Sequence, residues 1–163
     1  MFVLGIDPGL SRCGYGVVEQ VGRTAEAVAI GVITTPPGGE LPRRLALLQR
    51  ELRGLIAEHR PQVVAIERVF FQVNVRTAMG VAQAAGLAMA EGAASGAEVI
   101  EYTPNQVKEA VGGWGGAPKD QMQRMVQTLL GLPSVPAPAD AADAAAVALC
   151  HLAHAPMHRA GAR

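Results

Sequence analysis

Four acidic side chains stand where they can do chemistry together: Asp7, Glu67, Asp140 and Asp143. Asp7 closes the apolar run Phe2-Val3-Leu4-Gly5-Ile6, and Glu67 closes Val63-Val64-Ala65-Ile66. Adjacent strands that finish at one sheet edge would set both carboxyls at one mouth. Asp140 and Asp143 are three residues apart in an alanine-rich stretch, so on a helix they share a face. Four converging carboxylates repel one another unless cations sit among them. Hard oxygen ligands suit Mg²⁺ or Mn²⁺, with room left for water and a phosphate. Two such ions about 4 Å apart can activate a water and stabilise the leaving oxygen in phosphodiester hydrolysis. The chain has only four aspartates (the fourth is Asp120) and two lysines, Lys108 and Lys119, so these residues are not general surface charge.

Each acid also has a plainer explanation. Asp7 can be a turn former before Pro8-Gly9, and Glu67 the first exposed residue after a buried strand. Asp140 can be a helix N-cap, and Asp143 a first-turn acid favoured by the helix dipole. Separately these readings hold; together they leave the coincidence of positions unexplained.

The elements that must position these groups follow from patterning. Strands are expected at 2–7, 13–20 and 26–34 as a meander, then at 63–67 and 97–101. Leu41, Leu45, Leu48, Leu52, Leu55 and Ile56 recur at helical spacing over 41–60. Further helices are expected near 74–95, 104–111, 118–131 and 140–153. A meander followed by strand–helix alternation predicts an α/β fold, a mixed five-stranded sheet flanked by helices, in an order that resembles a ribonuclease-H-like core. The 163 residues suit one domain, placed at 1–155, with 156–163 as a flexible tail. Half the residues are apolar and the net charge is zero, which excludes a disordered or uniformly basic chain and leaves a local basic groove possible. Cys13 and Cys150 make no disulfide framework, and no run is long enough to cross a membrane. With no basic leader before the first strand, a reducing, cytoplasmic setting is expected.

Five ordered blocks carry a resemblance. They are Leu4-Gly5-Ile6-Asp7-Pro8-Gly9 with Gly14-Tyr15-Gly16-Val17-Val18, Ala65-Ile66-Glu67-Arg68-Val69-Phe70, Gln106-Val107-Lys108, Lys119 to Val126, and Ala139-Asp140-Ala141-Ala142-Asp143-Ala144. In order and spacing the chain resembles the crossover-junction endodeoxyribonuclease RuvC family. The resemblance implies a homodimer that makes paired, symmetric, metal-dependent nicks in strands of like polarity in a Holliday junction, a four-way DNA. It implies Mg²⁺, with Mn²⁺ able to substitute and two ions per site, held by Asp7, Glu67, Asp140 and Asp143. Some relatives have a histidine where Asp140 stands, so this site is all-carboxylate. Lys119 matches a lysine near the scissile phosphate, Lys108 a second cation on the backbone, and Phe70 an aromatic that packs on bases at the crossover. A branch-migration motor is implied as a partner.

Arg12, Arg76 and Arg124 are candidate phosphate contacts. Phe71 has no assigned role, and Trp114 can touch DNA or cover the core. Met79, Gly80, Ala84 and Leu87 in the 74–95 helix match the family's dimer interface, although an alanine-rich helix can equally pack on its own sheet. His151, His154 and His158 are expected in a solvated tail and not as a metal cluster. The competing functions are an actin-like ATPase, which needs a second phosphate loop not seen here, a non-catalytic junction-binding protein, and an RNA-processing nuclease of the same fold.

Overall fold

Phe2-Val3-Leu4-Gly5-Ile6 offers water no polar side chain, so this strand must be covered on both faces. It forms β1 (Phe2–Asp7), followed by β2 (Arg12–Val21), β3 (Thr24–Thr34), β4 (Val63–Glu67) and β5 (Glu98–Tyr102). The computed structural model describes residues 1–69 and 75–161, and side chains at 1–69 and 77–155. The sheet order is β3-β2-β1-β4-β5, with β1 in the centre. β1, β2 and β3 pair antiparallel, while β4 runs parallel to both β1 and β5. Helices α1 (Leu41–His59) and α2 (Val75–Ala94) pack on one face. The other carries α3 (Pro104–Gly112), α4 (Lys119–Leu129) and α5 (Ala139–Gly161). This is the ribonuclease-H-like arrangement, and every expected strand and helix is present.

Two-residue alternation decides which way the site faces. Val3 belongs to the core layer beneath α5, whereas Leu4 and Ile6 belong to the layer beneath α1 and α2. Asp7 therefore shares the α5 face with Val3 and Gly5. On β4, Val63 and Ala65 lie in the α5 layer, which puts Glu67 on that face too.

Glycines let α5 come down onto the sheet. A Cβ on Gly5 would collide with the Ala144 carbonyl oxygen, and one on Gly14 with the Asp140 carbonyl oxygen. At Gly16 it would lie 2.7 Å from the Ala145 Cα. The facing residues Ala141, Ala144, Ala145 and Ala148 are buried, so small side chains meet absent ones. Gly14→Ala is therefore expected to cost about 1–3 kcal/mol, since overpacking must push α5 away. Thermal melting checks this; an unchanged melting temperature would show that the helix rides loosely.

Two sequence expectations need correction. α5 continues to Gly161, well beyond the expected end near 153. His151 is not in a solvated tail either: it is 3% exposed, with its Nδ1 2.9 Å from the Tyr102 hydroxyl. His154 is half-buried, its Nδ1 2.8 Å from the Cys150 carbonyl oxygen, and His158 lies outside the described side chains. Polar partners inside the helix layer, invisible to a composition argument, hold this segment down.

Candidate active site

Parallel pairing of β1 and β4 sets Ile6 opposite Ile66, so the next residues, Asp7 and Glu67, emerge side by side at one edge. α5 begins above this edge. Asp140 sits inside its first turn and not at the N-cap, and Asp143 follows on the same face. Burial pushes the Asp7 carboxyl up to about 7, helped by repulsion from Glu67, Asp143 and Asp140 and opposed by Lys119. Glu67 is raised by burial and by Asp143, and Lys119 and Lys108 act against that rise. All four carboxylates thus share one electrostatic environment.

Two basic side chains already stand among them. Lys119, first residue of α4, places Nζ 2.8 Å from Asp143 Oδ2, and this hydrogen bond raises the lysine's pKa. Arg12, first residue of β2, donates from Nε to Asp140 Oδ2 at 2.8 Å and holds Nη2 2.8 Å from the same oxygen as an ion pair. Held this way, no three acidic, imidazole or thiol groups among the described residues form a ready-made ion cage. The donor set nonetheless fits a hard divalent cation: its oxygens are all carboxylate, and protein cations stand in for the missing positive charge.

Beside the acids a cleft of about 510 Å³ opens between α3, α4 and α5, lined by Glu67, Lys108, Lys119 and Asp143 among others. A capping box positions Lys108: the Thr103 hydroxyl accepts from the Gln106 N–H and the Gln106 amide oxygen from the Thr103 N–H. A negative pocket with a basic wall suits a phosphodiester reacting at bound cations. A larger cavity of about 860 Å³ lies at the opposite strand ends, around Pro61 and Gln62. Its one buried acid, Glu91, is already satisfied by Arg53 and Gln49.

The family model described as crossover junction endodeoxyribonuclease RuvC matches residues 3–151. The chain belongs to the RuvC family. The RuvC protein of Salinispora arenicola is 58% identical over 153 residues, covering 93% of this chain and 87% of that protein. The Thermus thermophilus RuvC structure matches with a TM-score of 0.89, 35% identity and 97% coverage of both chains. The T. thermophilus RuvC complex with Holliday junction substrate matches with a TM-score of 0.92 and 35% identity, over 97% of this chain and 96% of that one.

Within this RuvC family member the remaining expected residues are spread more widely. Phe70 and Phe71 lie outside the described residues, as does the Arg76 side chain. Arg124 is exposed on α4, five residues beyond Lys119 and so on a different side of the helix. Ala84 is fully buried under its own sheet, so it has no surface to offer a second copy, which corrects that expectation. Gly80 faces Leu10, Leu87 packs against the α1–α2 core layer, and Met79 is 59% exposed. Sequence reasoning placed Arg12 on phosphate and missed its pairing with Asp140. Nothing in a linear pattern links residues 128 positions apart.

Proposed function

We propose that this chain is a structure-selective endodeoxyribonuclease that resolves Holliday junctions in recombination and DNA repair, by paired symmetric nicks in strands of like polarity. Residues 1–155 act as one nuclease domain. The observation that carries the reading is the convergence of carboxylates from β1, β4 and α5 beside Lys119, in a family member matched over nearly its whole length.

Nucleases of this family depend on divalent metal, and here Asp7, Glu67, Asp140 and Asp143 would hold it as Mg²⁺ or Mn²⁺, two ions per site. Bound there, the metal supplies a nucleophilic water at neutral pH and a positive field at the leaving oxygen. The chain's own residues do the rest. Lys119, freed from Asp143, sets its ammonium against charge building on the phosphate. Lys108 on the facing wall and Arg12 at the lip hold the strand by its backbone, while Phe70 packs on bases at the opened crossover. Arg76 and Arg124 take flanking phosphates, and their substitution weakens all sequences alike.

Paired nicks need two identical sites, which a two-fold homodimer presents. Exposed Met79 on α2, with the partly exposed edges of Gly80 and Leu87 on the same helix, is the proposed contact. A cytoplasmic setting and delivery by a branch-migration motor complete the proposal. No described helix is long and apolar enough to cross a membrane.

The test is metal-dependent cleavage of a mobile four-way junction, with products mapped on both strands and linear duplex and RNA hybrid in parallel. Symmetric, ligatable nicks confined to the junction are expected, from particles of twice 16.9 kDa in light scattering. Preference for the RNA hybrid would move the chain to the RNA-processing reading, and binding without cutting to the structural one.

A further inference from the structure

The chain's single tryptophan stands two residues before Gly116, which lines the reactive cleft. Trp114 lies in Gly112-Gly113-Trp114-Gly115-Gly116, the link between α3, which carries Lys108, and α4, which begins at Lys119. α3 ends at Gly113 in a left-handed conformation (φ 84°), which glycine adopts without strain. The chain then turns back, closed by the Ala117 N–H donating to the Trp114 carbonyl. The indole packs closely on Gly116: a Cβ there would collide with ring carbon Cζ3. Gly116, Ala117 and Pro118 line the cleft together with Lys108 and Lys119. The ring is thus braced from behind by backbone while the residue stays 56% exposed.

A core-covering tryptophan would be mostly buried, and this one is not. An indole pinned by glycines loses little freedom on binding, so its open surface is ready to receive a flat ligand. What reaches it is set by its neighbours. Two cations on the adjoining wall draw in a phosphate chain, and the rings along such a chain are nucleobases. We infer that Trp114 is a stacking platform for a nucleobase of the strand leading out of the cleft, a DNA-binding residue on the α3–α4 side that acts with Lys108 and Lys119. This rests on the nuclease reading above.

A sole tryptophan makes the test optical. In an Asp7→Asn chain, which holds junction DNA without cutting it, Trp114 emission is expected to be quenched as the junction saturates. Trp114→Ala is expected to weaken junction binding about five-fold or more. Trp114→Phe should retain most of the affinity, and the two variants should melt within a degree or two of the parent. Gly116→Ala, which displaces the ring without deleting it, should weaken binding as well. Unchanged emission at saturation, or Trp114→Ala binding like the parent, would overturn the inference while junction cleavage by the parent kept the nuclease reading intact. A large drop in melting temperature in Trp114→Ala, with emission indifferent to DNA, would make the ring a cover for the turn and overturn it equally. A parent that neither binds nor cuts junctions would sink both.

Discussion

Asp7→Asn is expected to abolish junction cleavage and, without metal, to make the protein more stable. Loss of an outer partner of a metal ligand typically costs about 10–100-fold, so losing a direct ligand should exceed about 100-fold. The stability gain comes from the carboxyl's position. Burial and three neighbouring acids move its pKa from an ordinary 3.8 to about 7. The folded chain therefore holds this proton more tightly than the unfolded chain. Stability falls as pH rises from about 4 to 7, and the full cost is present above pH 7. A rise of that size corresponds to at most about 4 kcal/mol, and partial exposure brings it nearer about 2 kcal/mol. An amide of the same shape carries no such cost. At pH 8 the variant should melt several degrees higher than the parent, the difference shrinking toward pH 5. Mg²⁺ should raise the parent's melting temperature and leave the variant's unmoved. Normal cutting by the variant would remove Asp7 from the metal site; a lower melting temperature at pH 8 would remove the crowding argument.

Lys119→Met separates two roles that the geometry combines. Where the ammonium opposes charge on the reacting phosphate, its loss should lower kcat by about 10²–10³, as for other preorganised donors. In the resting site the same ammonium sits 2.8 Å from Asp143 and competes for its carboxylate. Removing it should tighten Mg²⁺ binding, read by calorimetry, even as cleavage collapses. The fold should be indifferent, because the pair is solvent-facing, with the lysine side chain 63% exposed. Parent-level cleavage, or weaker Mg²⁺ binding, would show that Lys119 is a structural partner of Asp143 and nothing more.

Much of this architecture was readable from the chain because it rests on short-range rules. The unbroken apolar run before Asp7 declared a buried strand, and the leucine spacing over 41–60 declared α1 within a residue of its observed ends. The carboxylates were legible because strand ends and a three-residue helical spacing put them on one edge. Longer-range features were not. The Gly14-x-Gly16 alternation and the alanines of α5 each look unremarkable alone, and only their apposition explains why α5 sits low enough to deliver Asp140. Ala84 was placed at the dimer interface by resemblance alone, because an alanine-rich helix carries no periodicity to tell its inner face from its outer one. His151 was assigned to solvent because the Tyr102 hydroxyl that buries it comes from 49 residues away.

The two ion pairs, Arg12 with Asp140 and Lys119 with Asp143, have a consequence for how the protein exists between encounters with substrate. Zinc-finger-like domains collapse when chelated because their ligands have nothing else to hold. Here each acid of the α5 pair also holds a cation of the chain itself, so on the proposed metal-dependent reading the fold would not depend on an ion to keep those ligands in place.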